Sequence, residues 1–158
     1  MAALHENYLD FFANAIRRNL SDMAGLSGEA GDLEPQQTSF PSRGFAVILG
    51  ITGAKAGRVI IDMDWQTAKA LCDTINAEDV LDEEFVLDTL AEFTNIVAGH
   101  AVSDINNAFS NMGMMLTPPS VFRGENLTVV SPKLTAEVMA IKTSLGTIYI
   151  SIGFEGGK

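Results

Sequence analysis

Residues 147–154, TIYISIGF, alternate strictly: Ile148, Ile150, Ile152 and Phe154 fall on one side, Tyr149, Ser151 and Gly153 on the other. A period of two over such a run is a strand with one face against a core. The chain must therefore supply partner strands and apolar surface to cover that face. TAEVMAIKT (135–143) precedes it across Ser144-Leu145-Gly146, which predicts a hairpin. FAVILGI (45–51) and RVIIDM (58–63) have the β-branched content of buried strands, and the intervening TGAKAG supplies turn residues, so they form a second hairpin. After Pro118-Pro119, residues 120–131 add one or two shorter strands.

Helices account for the covering layer. Leu4, Tyr8, Phe12, Ile16, Leu20 and Met23 recur at steps of three or four, so residues 4–23 form a helix with one apolar face, ended by Gly25 and Gly28. Residues 24–44, rich in Gly, Ser, Pro and Gln, read as a long loop of no assigned role. Asp64 caps a short helix running to about Ile75, its carboxylate accepting from free backbone N–H groups. A long helix spans roughly 83–110. Asp82 is its cap, Glu83 and Glu84 lie in its first turn, Leu81 and Val86 are placed for a hydrophobic staple, and Asn111–Gly113 stop it. The expected fold is α+β: one domain over 1–158, a mostly antiparallel sheet with helices packed on one face.

Composition narrows the function classes. Twenty acidic against ten basic residues give a net charge of −10, which repels nucleic acid and anionic lipid. Arg17-Arg18 is the only basic pair. The single Cys72 excludes an internal disulfide and reads as core. The start, Met1–Asp10, lacks a signal peptide's pattern, and no apolar stretch approaches membrane-spanning length, so the expectation is a cytoplasmic protein away from membranes.

Chemistry concentrates on the long helix. With Asp88 at 0° and about 100° per residue, Val86, Leu90, Phe93, Val97 and Ala101 form a core face near 140–220°. Glu92 falls near 40°, Asn95 near −20°, Gly99 near 20°, Ser103 near 60° and Asn106 near 0° on the same scale, about one turn of stripe apart from the core. A solvated surface is the plain reading of that stripe. Against it, Asn95, Gly99, Ser103 and Asn106 all cost helix propensity, Gly roughly 1 kcal/mol against Ala. Gly99 also removes a side chain where another molecule can approach. The stripe has no ordinary nucleophile. His5 and His100 have no metal-ligand pattern, and His100, nearer the core face, reads as structural. No Gly-rich phosphate loop is present. What remains is one carboxylate pair and one amide. An amide takes no proton but can hold a water by donating and accepting hydrogen bonds, which matches water positioning better than acid–base catalysis.

At these residues the chain resembles the CheC/CheX/FliY phosphatases of bacterial chemotaxis, most closely the CheX branch. The family pattern, Asp or Ser, three residues, Glu, two residues, Asn, twenty-two residues, Pro, is met by Asp88, Glu92, Asn95 and Pro118. ILGITGAKAGRVIIDM (48–63), LTPPSVFRG (116–124) and TIYISIGFE (147–155) look like CheX as well. One copy of the signature is present, because Glu6 and Asn7 in the first helix lack the spacing. The resemblance implies hydrolysis of the aspartyl phosphate of a CheY-like response regulator. That partner would bring the phosphoaspartate, a Mg²⁺ held by its own carboxylates and a lysine. Glu92 would pair with the lysine and Asn95 would orient the attacking water. Asp88 and Gly99 would serve docking, and Pro118 would shape the loop after the helix. The resemblance also implies a homodimer formed by joining sheets, with strand 147–154 either an edge or central. Two further readings stand beside the enzyme: a module that binds or sequesters a receiver without hydrolysis, and a stripe that forms a homodimer contact.

Overall fold

The computed structural model describes residues 2–36, 39–130 and 134–155. The side chains of residues 2–7, 36, 134 and 135 lie outside the described set, and with them the expectations on Leu4, His5, Glu6 and Asn7. In chain order the elements are α1 (Ala2–Ala24), β1 (Glu29–Gln36), β2 (Ser39–Pro41), β3 (Phe45–Thr52), β4 (Gly57–Met63), α2 (Trp65–Asn76), α3 (Glu83–Ala108), β5 (Met115–Leu116), β6 (Ser120–Arg123), β7 (Thr128–Val130), β8 (Leu134–Thr143) and β9 (Gly146–Glu155).

Seven strands form one sheet in the order β1-β8-β9-β4-β3-β5, with β6 also on β3. All its pairings are antiparallel. Register explains the core. Leu33, Met139, Ile150, Ile61, Val47 and Val121 lie opposite one another across six strands, a single apolar row on the face that the helices cover. The alternation at 147–154 behaves as expected: Ile148, Ile150, Ile152 and Phe154 are buried against the helices. β9 lies between β8 and β4, so it is central and offers no edge. On the opposite face, β2 and β7 pair as a two-stranded ribbon and lay Phe40 and Val129 over Ile60 and Ile48.

Residues 24–44 are not the long loop expected. Gly25 does end α1. It takes φ +65, with Gly25 N–H on Ser21 O and Leu26 N–H on Leu20 O, the paired bonds of a glycine C-cap. The chain then runs back as β1 along β8. β1 contains Gly31, Pro35 and three acidic residues, and its register shifts between Ala30 and Leu33. Such a strand survives at an edge, where one side has no ladder to satisfy and charge discourages further pairing. Its apolar contribution is Leu33, packed against the core.

Asp64 caps α2, its side chain accepting from Thr67 N–H at 2.7 Å. Asp82 caps α3 by accepting from Glu84 N–H at 3.0 Å. The staple does not form: Leu81 is 87% exposed, and Val80 takes the inward place instead. Cys72 is fully buried. Val86, Leu90, Phe93, Val97 and Ala101 are all buried, as the wheel requires. Among the described residues no helix is long and apolar enough to cross a membrane.

Candidate functional site

α3 is fixed at both ends, which makes its outer face a rigid platform. At the N-terminal end, Arg123 of β6 pairs with Glu83, and its guanidinium stacks on the Trp65 ring 3.6 Å from the centroid. The segment before the helix is tied to α2. Lys69 Nζ donates to Asp73 at 2.7 Å and Asp79 at 2.7 Å, while Asp73 Oδ1 accepts from Val80 N–H at 2.8 Å. The hydrogen bond to Asp73, then that to Asp79, raises the Lys69 ammonium above its ordinary range. The Lys69 hydrogen bond and then the Val80 N–H hold the Asp73 carboxyl below its own.

At the C-terminal end the amide of Asn106 clasps the backbone of Met114. Its Oδ1 accepts from Met114 N–H at 2.9 Å and its Nδ2 donates to Met114 O at 3.0 Å. The turn beyond meets the β3–β4 hairpin backbone to backbone. A Cβ on Gly53, which has φ +113, would lie 2.4 Å from Gly113 O, so only glycine fits. Along its length α3 packs on α1. Asn19, buried on α1, donates to Ala15 O at 2.8 Å and lies 3.0 Å from His100 Nδ1. His100 is exposed rather than turned to the core, yet this contact gives it the structural role expected. Arg18 pairs with Asp104 at 3.5 Å.

The outer stripe is shorter than the wheel made it. Asn106 is committed to the turn after the helix, so the open part runs from Asp88 to Ser103. Asp88, Glu92, Asn95 and Ser103 are exposed. Among the described residues, neither carboxylate nor the Asn95 amide has a hydrogen-bond or ion-pair partner. Gly99 is half-buried, and a Cβ there would meet nothing within 4 Å, so internal packing does not demand glycine. Pro118 is exposed between β5 and β6. Both strands pair with β3, and Thr117 bridges the gap: its N–H donates to Gly50 O at 3.0 Å and its Oγ1 accepts from Gly50 N–H at 2.8 Å. Pro118 has no N–H to offer β3, and the ladder breaks there, which is the shaping role expected of it.

The stripe therefore presents one carboxylate and one amide a helical turn apart, uncommitted and facing outward. It can form half of a site and needs another molecule for the rest. Among the described residues no group of His, Cys, Asp and Glu side chains is arranged to hold a metal ion. Sequence reasoning missed Arg123 and Lys69, the two cations that seat the start of α3. Neither carries a local signal, because each acts on elements distant in the chain.

Comparison with known proteins gives this arrangement a context. The family model described as chemotaxis phosphatase CheX matches residues 45–143, more than half of the chain. Among curated proteins, none matches the chain. Among solved structures, a chemotaxis protein CheX from Desulfovibrio desulfuricans superposes with a TM-score of 0.86 at 24% identity, covering 94% of this chain and 99% of that one. The CheX of a CheX–CheY–BeF₃–Mg²⁺ complex from Borrelia burgdorferi is 28% identical, with a TM-score of 0.80 and coverage of 94% and 97%. FliY from Thermotoga maritima is more distant, at 12% identity and a TM-score of 0.60. With the α+β architecture, the outward stripe on α3 and the family match in agreement, the chain belongs to the CheX family of chemotaxis phosphatases.

Proposed function

We propose that this chain hydrolyses the aspartyl phosphate of a CheY-like response regulator, with Glu92 and Asn95 as the residues it contributes. The observation that carries the reading is the pair itself: a carboxylate and an amide at i and i+3 on a helix pinned at both ends, exposed and without internal partners. Side chains three apart on a helix are neighbours, about 5–6 Å between Cβ atoms. Both can enter one partner pocket together. The membership of a CheX relative in a complex with CheY supports a receiver as that partner.

The chemistry asked of the chain is modest. Phosphoryl transfer gains mainly from positioning and charge stabilisation. Asn95 Nδ2 donates and Oδ1 accepts, so one amide fixes a water in the line of attack without ionising. Glu92 pairs with the partner's lysine and sets the depth of insertion. Mg²⁺, held by the partner's carboxylates, neutralises charge on the phosphoryl oxygens. Asp88 and Gly99 lie on the contact surface, Gly99 leaving backbone open to close approach. Such a protein works in the cytoplasm, where receivers are phosphorylated. A homodimer formed by joining sheets would use the β1 edge or the β5–β6 side, since β9 is central.

The test is loss of phosphate from phosphorylated CheY-like receivers of the same organism, with Mg²⁺ present. Acceleration by the wild-type chain is expected. A tight complex with unchanged decay would instead assign the chain as a receiver-binding module.

A further inference from the structure

We infer that Leu81 and Phe85 form an apolar anchor for the receiver, seated beside the reactive pair and rimmed by acid; this rests on the proposed receiver partner. Leu81 is 87% exposed and Phe85 45%, two of five large hydrophobics left exposed among the described residues. They border a groove of about 420 Å³ lined by Glu78, Asp79, Val80, Leu81, Asp82 and Phe85. Phe85 stands seven residues before Glu92, two turns and about 10 Å along the same face of α3. The groove is thus continuous with the stripe.

The exposure of Leu81 is built in. A leucine before a helix cap ordinarily folds onto the fourth helical residue. Here Val80 occupies the inward place, and the segment is held by Lys69 on Asp73 and Asp79, by the Val80 N–H on Asp73, and by Glu78 N–H on Asp73 O. Ala77 turns the chain with φ 55. A fixed segment that holds a leucine in water loses little conformational freedom when a partner covers it.

Charge selects the occupant. Glu78 and Asp82 are exposed on the rim, Asp79 shares Lys69, and Glu84 and Asp88 follow on α3. A second copy of this chain, at net charge −10, would bring like charge to the rim. A receiver segment carrying a Lys or Arg beside an aliphatic side chain matches both the acid and the apolar floor. Contacts of this kind, an apolar centre within a polar rim, are where truncation costs most affinity.

The experiment titrates phosphorylated receiver against wild type, Leu81→Ser, Phe85→Ala and Asn95→Ala, reading Kd, phosphate decay and molecular mass. Leu81→Ser and Phe85→Ala are expected to raise Kd about tenfold each, at wild-type thermal stability and mass. Unchanged Kd in both, with wild type binding and active, overturns the anchor and leaves the phosphatase reading intact. Raised Kd in both, with no decay even for wild type, supports the anchor and overturns the phosphatase reading. A wild-type dimer that falls to monomer in Leu81→Ser overturns the inference, because a second copy then owns the groove. No binding by wild type overturns both.

Discussion

Gly99→Ala pulls stability and docking in opposite directions, and that opposition is the useful quantity. Gly99 is in the interior of α3, and an added Cβ meets nothing within 4 Å. In the free chain the substitution is a plain glycine-to-alanine change on a helix, worth roughly 0.5–1 kcal/mol of added stability. For a domain of this size that is a rise of about 2–4 °C in Tm. Docking reverses the sign. Gly99 sits one turn beyond Asn95, where the partner's surface approaches the helix backbone if Asn95 enters a pocket. A methyl in a closely packed contact costs about 1–3 kcal/mol, a weakening of roughly five- to a hundredfold. A thermal melt and a titration with phosphorylated receiver measure both halves. Higher Tm with weaker binding is expected, and Gly99→Leu should weaken binding further. Binding that is unchanged or tighter in Gly99→Ala would refute the placement of Gly99 under the partner.

Other expectations follow from the same platform. Asn106→Ala removes both hydrogen bonds to Met114 and should cost about 1–2 kcal/mol, read as a lower urea midpoint. Acid should loosen the segment that seats α3. The Asp73 carboxyl is lowered chiefly by Lys69, so its contribution is full above its ordinary unfolded value of roughly 4 and is lost as pH falls through the lower folded one. Amide exchange at Val80 is expected to rise on acidification below that point and to be already fast in Asp73→Asn. Glu92→Gln keeps size and removes charge. It should raise Kd for the receiver and flatten the dependence of Kd on salt, since a lysine pair is screened by ions. Equal salt slopes for wild type and Glu92→Gln would argue against that pair.

The elements that carry strong periodicity were legible from residues alone. The alternation of Ile148, Ile150, Ile152 and Phe154, the FAVILGI and RVIIDM runs and the caps Asp64 and Asp82 all sit where the pattern puts them. β1 was not legible, because EAGDLEPQ has the composition of a loop and becomes a strand through β8's free backbone groups. Strand preference is a response to neighbours more than a property of the segment. The stripe shows the same division. Helical spacing brings Asp88, Glu92, Asn95 and Gly99 to one open face, as expected. Asn106 shares that angle but bonds Met114, since the turn after the helix folds back within its reach. Leu81 had staple spacing, yet the Lys69 ties set the direction of its segment, and these depend on α2 lying alongside. Arg123 reaches Glu83 and Trp65 across the sheet edge, a tertiary contact with no local trace.

The central claim is that Asn95 supplies a positioned water and no binding energy of consequence. Its most direct measurement compares Asn95→Ala with wild type on one phosphorylated receiver, reading Kd and single-turnover decay on the same preparation with Mg²⁺ present. Losing one positioning group that acts only in the transition state should reduce decay by about a hundredfold or more. Kd should stay within about threefold, under 1 kcal/mol. Undiminished decay in Asn95→Ala, or a loss of decay fully accounted for by a weaker Kd, would contradict the assignment.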